Sequence, residues 1–292
     1  MNCIINLNKP KGITSQSAVT RVKRLLGAKK AGHSGTLDPM ATGVLLVCIG
    51  EATKIMRFLT GRDKRYNARI VLGARTDTQD ADGVVVETKM IPELHYNDVT
   101  VALRHFIGKI SQTPPMYSAI KINGETLYKL ARKGIEIQRP ARYIEIYDIR
   151  VKQVDLPYID IDVSCSKGTY IRTLCEDIGV RLGTCAHLAA LERTEVGGIS
   201  IDTATSLESI ENDPAASSSA MLSVEDVLAD IPEITVSDAE YAKALNGVPV
   251  SKCECFQIPD RSYVKLMNHD GKMFGIGFID SNKIAIERIL KI

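Results

Sequence analysis

The segment Gly32–Gly43, reading GHSGTLDPMATG, constrains this chain more than any other. Three glycines and a proline in so short a stretch force an irregular, tight backbone. It runs straight into Val44-Leu45-Leu46-Val47-Cys48-Ile49, the longest apolar run and the length of a buried strand. One acidic residue, Asp38, is therefore held at the mouth of a core strand within basic sequence. Nearby cations would keep such a carboxylate ionised. The alternative is a turn aspartate before proline, a common use of Asp-Pro.

Charge is unevenly spread. Residues 1–75 hold fourteen Lys/Arg against three Asp/Glu, and residues 202–240 hold ten acidic residues and no basic one. A basic first quarter suggests a polyanionic partner, and a solvated basic face is the other reading. At 292 residues, 45% hydrophobic and 25% charged, the chain is expected to form about two domains with a sizeable core. No apolar run reaches the roughly 18–20 residues of a membrane span. The N-terminus lacks a signal-peptide layout, and seven cysteines without a CxxC pair point to a reduced, cytoplasmic setting.

The pattern predicts a helix over 15–26 with Ser15 as its cap, strands over 44–49 and 66–72, and a short helix over 52–59. Asp82-Gly83 marks a hairpin turn. Residues 113–142, with Pro114-Pro115 and a basic helical stretch, read as a mobile loop–helix insertion. Strands are expected over 143–151 and 158–165, a helix over 169–182, and a further strand over 185–201. Residues 212–220 (NDPAASSSA) read as a linker or exposed loop. Beyond about 231, short β-like runs between turns predict a small β-barrel.

Several motifs fail on inspection. Gly27–Ser34 imitates a phosphate loop, but His33 stands where Lys is required. Asp77–Gly83 imitates a calcium loop, but Thr78 and Lys89 occupy ligand positions. Cys253, Cys255 and His269 make a poor zinc set in count and spacing. His33, Ser34 and Asp38 lie too close in sequence for a hydrolase triad.

The segment GHSGTLDPMATGVLLVCIGEATK closely resembles the catalytic motif of the TruB family of pseudouridine synthases. At ordinary residue usage GTLDP arises by chance on the order of once per million positions. More elements follow in the family's order. Asn8–Ser15 resembles NKPxGxTS, Lys64-Arg65-Tyr66 the KxY element, and Thr76–Gly83 the TDTxDxxG hairpin. Gln112–Ala119 resembles the segment opening the family's RNA-gripping insertion. Ser166–Leu174 resembles GTYIR, and Ala186–Thr194 resembles AHLxxLRRT. The tail is more loosely similar to the small PUA RNA-binding module. Glu192 departs from the usual Arg, which puts one phosphate contact in doubt, and Ile199 replaces a frequent Phe.

The resemblance implies an α+β fold. It would combine a mixed, largely antiparallel sheet, flanking helices and the insertion at about 113–142 with a C-terminal PUA-like β-barrel. Domains of 1–230 and 231–292 are expected. It also implies isomerisation of uridine to pseudouridine at position 55, in the T loop of tRNA. Asp38 matches the catalytic carboxylate, which either attacks C1′ or abstracts the 2′ proton. Arg172 matches its ion-pair partner and would lower its pKa. Tyr66 and Leu191 match the cradle for the flipped base. Tyr66 is also a candidate base for the final proton, and Tyr170 shapes the same pocket. His33 matches a residue stacking near the opened loop, or is a loop histidine. Lys64 positions Tyr66 or a phosphate, or is a surface cation. Asp80 contacts a neighbouring base, or is a turn residue. Lys23, Lys29, Lys30, Lys129, Arg132 and Lys133 are candidate phosphate contacts.

Uracil is a better leaving group than an alkoxide, so one carboxylate suffices in principle, and neither cofactor nor metal is required. The expected partner is the tRNA T arm, with no membrane, no metal and no obligate protein partner, the chain acting as a monomer. Competing readings are a tRNA-folding chaperone with secondary or lost catalysis, a guide-RNA-dependent relative, and a metal-dependent RNA hydrolase.

Overall fold

The strand that follows Gly43 lies at the middle of one sheet. In the computed structural model, which describes residues 1–122, 124–251 and 258–292, β1 (Cys3–Lys9) is followed by α1 (Ser15–Leu25), β2 (Ala31–His33) and β3 (Thr42–Ile49). A 3-10 helix, Gly50–Ile55, and α2 (Met56–Thr60) lead to β4 (Lys64–Leu72). The hairpin of β5 (Ala74–Thr76) and β6 (Val85–Thr88) precedes α3 (Tyr96–Arg104), β7 (Gly108–Gln112), β8 (Lys121–Ile122), β9 (Glu125–Thr126) and α4 (Leu127–Arg132). Next come β10 (Arg142–Asp155), β11 (Tyr158–Cys165), α5 (Ile171–Arg181), β12 (Ala186–Val196) and β13 (Ile199–Ser200). The chain then returns through β14 (Thr205–Ser206), α6 (Leu207–Asn212), β15 (Met221–Leu222) and α7 (Val224–Val227). It ends with β16 (Glu233–Thr235), α8 (Asp238–Leu245), β17 (Val250–Ser251), β18 (Tyr263–Met267), β19 (Met273–Asp280) and β20 (Lys283–Ile289).

Among the described residues the large sheet has the order β14-β1-β3-β12-β4-β11-β10-β7. It is mixed and mostly antiparallel, with β12 parallel to β3 and β14 parallel to β1. The strands alternate as their sequences require. On β4, Tyr66, Ala68 and Ile70 are buried against α5, while Arg65 and Arg69 face outward and pair with Asp162 and Asp160 of β11. A second curled sheet, β16-β18-β19-β20-β17, forms a C-terminal half-barrel of PUA-like form. Met267, Met273, Ile276 and Leu290 join it to the large sheet through one apolar cluster with Ile4, Val44 and Leu46.

One expectation is corrected and two become more specific. The cap of α1 is Thr14, whose side chain accepts from Ser17 N at 3.0 Å; Ser15 is buried and turned toward Leu37. Residues 212–220 are mostly exposed, as the exposed-loop reading expects, but 214–220 are regular. They form a 3-10 helix with Ser217 and Ala220 buried, and β15 then pairs with β1. Among its described residues the stretch 113–142 holds one short helix, α4, in mostly irregular chain, and it follows a tethered residue. Gln112 bonds the backbone of Tyr170 through both its side-chain atoms, and Leu127 of α4 is fully buried. Cys253 and Cys255 of the rejected zinc set lie outside the described residues. No helix among the described residues is long and apolar enough to cross a membrane.

Candidate active site

Asp38 sits in the irregular loop between β2 and β3, at the N-terminal end of α5. Arg172, 5% exposed, donates from Nε to Asp38 Oδ2 at 3.0 Å. Its Nη1 lies 3.4 Å from Asp80 Oδ2 and donates to the Thr78 carbonyl at 3.0 Å. Its Nη2 donates to the Tyr117 carbonyl at 2.7 Å. One guanidinium thus gathers the loop, the hairpin turn and the start of the insertion. Such a buried cation is tolerated because carboxylates and carbonyls satisfy it.

The electrostatic balance at Asp38 differs from the expectation. Burial raises its pKa; Arg172 and, more weakly, Lys9 pull it down, while Asp80 and Asp82 push it up. The net direction is upward, because burial outweighs the ion pair. Tyr66 lies on β4 in the same apolar cluster as Leu37, Met40 and Leu191. Burial pushes its phenol up, against the opposing pull of Arg193. That shift takes Tyr66 away from the range of a general base and leaves its ring as the feature the geometry favours. A cleft of about 520 Å³ reaches Met40, Ala68 and Leu191 from the outer side, with Lys11, Lys152 and Glu192 on its walls.

Two matches cover this framework. Residues 23–171 match the family model described as the TruB family pseudouridylate synthase N-terminal domain, and 172–230 match that of the tRNA pseudouridylate synthase B C-terminal domain. The tRNA pseudouridine synthase B of Clostridium tetani (strain Massachusetts / E88) is 42% identical over 290 residues, 99% of this chain and 100% of its own. This chain belongs to the TruB family. The tRNA pseudouridine synthase B of Syntrophotalea carbinolica (strain DSM 2380 / NBRC 103641 / GraBd1) is 44% identical over 250 residues, covering 85% of this chain and 82% of its own. The fold matches a chain in the crystal structure of a Cbf5-Nop10-Gar1 complex with a TM-score of 0.74 and 25% identity. That match covers 99% of this chain and 84% of the other.

The other residues singled out from TruB motifs are distributed as follows. Asp80 is buried and closes its own hairpin, accepting from Thr78 Oγ1 at 2.6 Å and Asp82 N at 3.1 Å. Its turn role and its ion pair with Arg172 coexist. Asp77 accepts from Val84 N at 2.8 Å, so the calcium-like sequence is spent on the turn. Tyr170 is the residue before α5, and the Arg142 guanidinium lies 4.9 Å from its ring centroid. His33 ends β2, and burial moves its imidazole below the usual range, toward the neutral form that stacks. Lys64 is not a surface cation. It is buried, donates to the carbonyls of Thr60 (2.8 Å) and Arg62, and burial pushes its pKa down to about 8. Glu192 accepts from Asn67 Nδ2 at 3.1 Å, and Asn67 Oδ1 accepts from Lys152 Nζ at 3.1 Å.

Sequence reasoning missed the residues that hold the Asp38 loop. Lys9 is fully buried and donates to the carbonyls of Pro10 and Ile13 at 2.8 Å and Pro39 at 3.4 Å. Burial lowers its pKa to about 8, with Asp38 opposing. The Ser15 hydroxyl accepts from Leu37 N at 2.8 Å and donates to Leu37 O at 2.9 Å. Both lie in the Asn8–Ser15 motif, and that motif's coupling to the Asp38 loop was the available signal.

Proposed function

We propose that this chain isomerises uridine to pseudouridine in tRNA, at position 55 of the T loop, with Asp38 as the catalytic carboxylate. The observation that carries this reading is the Asp38–Arg172 ion pair at 3.0 Å, set beside the Tyr66 ring in a TruB chain. The target base leaves its stack and lies against Tyr66 and Leu191, with Tyr170 and Lys64 shaping the surroundings. Asp38 attacks C1′ or takes the 2′ proton. The glycosidic electrons leave on the uracil ring, whose carbonyls spread the charge. The base turns in a site closed to water, C5 bonds to C1′ as Asp38 leaves C1′ or as the 2′ proton returns, and C5 loses its proton while N1 gains one. Arg172 holds the carboxylate in place throughout.

The reading extends to setting and partners. The five cysteines described are free and buried, in keeping with a reduced cytoplasmic compartment. The chain acts on bare tRNA without an obligate protein partner, and residues 231–292 serve as an RNA-binding module packed on the large sheet.

The test uses purified protein, unmodified tRNA transcript and a chelator, with pseudouridine mapped by carbodiimide labelling and primer extension. A single new stop in the T loop, lost with Asp38→Asn while tRNA affinity stays within about threefold, is the expected result. Tight binding by the unaltered chain without modification overturns it in favour of a tRNA-folding role.

A further inference from the structure

Residues 34–41 belong to no helix or strand, so other parts of the molecule must satisfy their backbone. Arg193 of β12 answers much of that need. It is 2% exposed, and its guanidinium faces carbonyls and a phenol rather than a carboxylate. Nε donates to the Val44 carbonyl at 2.7 Å, Nη2 to Gly35 at 3.1 Å and Nη1 to Thr36 at 3.5 Å. The loop is thus gripped on both sides of Asp38. Across the β4–β12 register Arg193 stands opposite Tyr66, and its charge pulls against the burial that raises the phenol. The backbones also meet here. A Cβ on Gly43 would lie 2.2 Å from the Arg193 carbonyl oxygen, so loop exit and strand are locked in register.

A buried guanidinium is costly to desolvate, and an apolar side chain of similar length would fill the same core space. What an apolar side chain cannot do is span three carbonyls at once beside the Tyr66 phenol. We propose that Arg193 is a positioning residue that fixes the Asp38 loop against the Tyr66 ring, so that carboxylate and base cradle keep one separation. Arg172 touches the carboxylate itself; Arg193 touches only the backbone that carries it. Ser15 completes the grip from the α1 side through Leu37. Misplacement of a reacting group by about 1 Å costs on the order of a hundredfold in rate.

The inference rests on the isomerisation proposed above. Its test measures single-turnover rate, KM and tRNA Kd for Arg193→Lys and Arg193→Met in the full chain, with the melting temperature of each. Lysine keeps the charge but cannot reach the carbonyls on both sides. The expected result is a loss of kcat on the order of a hundredfold in both variants, with KM and Kd within about threefold. The acid limb of the kcat profile moves to lower pH as well, because a loosened loop admits water to Asp38 and relieves the burial that raises its pKa. A purely structural arginine would leave that limb in place. Folded variants with kcat within about threefold of the parent overturn the proposal. So does failure of both variants to fold, since Arg193 would then belong to the core rather than to the loop. An unaltered chain that makes no pseudouridine overturns the isomerisation reading instead, which separates the two failures.

Discussion

At Asp38 two influences oppose each other, and their balance has consequences for pH. Burial raises the carboxyl while Arg172 lowers it, and burial prevails. The folded pKa therefore lies above the unfolded value of about 3.9. Folding favours the protonated form, so this group's contribution to stability is full below the unfolded pKa. It is lost as pH rises through the folded pKa. Asp38→Asn, which mimics the neutral form, is expected to melt higher than the parent near neutral pH. The difference should close toward about pH 4. Thermal melts of the two proteins across that range check the sign. A variant that melts lower at neutral pH would show that the ion pair outweighs burial. The same shift places the acid limb of activity above the ordinary carboxylate range, because catalysis needs the ionised form. The pairing of Asp38 with Arg172 was legible in the sequence through two separated motifs. The direction of the shift was not, because it depends on how much chain covers the carboxylate, and no local pattern encodes that.

Strands were the most legible elements, because burial on one face writes a period of two into the sequence. Lys64–Leu72 and Tyr158–Cys165 follow it closely. The apolar 44–49 run was readable for the opposite reason, being covered on both faces by α1 and the C-terminal sheet. Close approaches of backbone were not readable, since a glycine shows only that space is short, not what fills it. Gly43 and Gly12 separate the two effects. Both have positive φ, +100° and +88°, but a Cβ on Gly12 meets nothing within 4 Å, whereas on Gly43 it meets β12 backbone. Gly12→Ala is expected to cost about 1–3 kcal/mol of backbone strain. Gly43→Ala adds a steric clash that neither strand can relieve without losing the β3–β12 register, so it should cost clearly more and should also impair turnover. Denaturant unfolding of both variants measures the difference; equal losses would place the whole effect in φ.

Across the whole molecule, the basic first quarter divides once burial is known. Lys9 and Lys64 are interior groups spent on carbonyls, and Arg62, Arg65 and Arg69 are paired with Asp230, Asp162 and Asp160. A charge count assigns all of these to a surface field, which overstates it. Lys23, Lys29 and Lys30 remain exposed near the end of α1, and Lys129 and Arg132 are exposed on α4. If this set neutralises phosphates, binding releases counterions and tRNA affinity falls linearly with log salt. Each exposed cation that contacts a phosphate contributes a slope of about 0.7–0.9, so Lys29→Ala and Lys30→Ala together should lower it by about 1.5. Arg65→Ala, which removes a cation already satisfied by Asp162, should leave the slope within about 0.3 of the parent. Filter-binding titrations over a series of salt concentrations distinguish the two classes. A slope unchanged by loss of the exposed lysines but reduced by loss of Arg65 would move the RNA footprint from the end of α1 to the outer face of the sheet. On that face Arg69 and Lys152 line the cleft that holds Glu192, and the departure from the family's Arg would then bear directly on affinity.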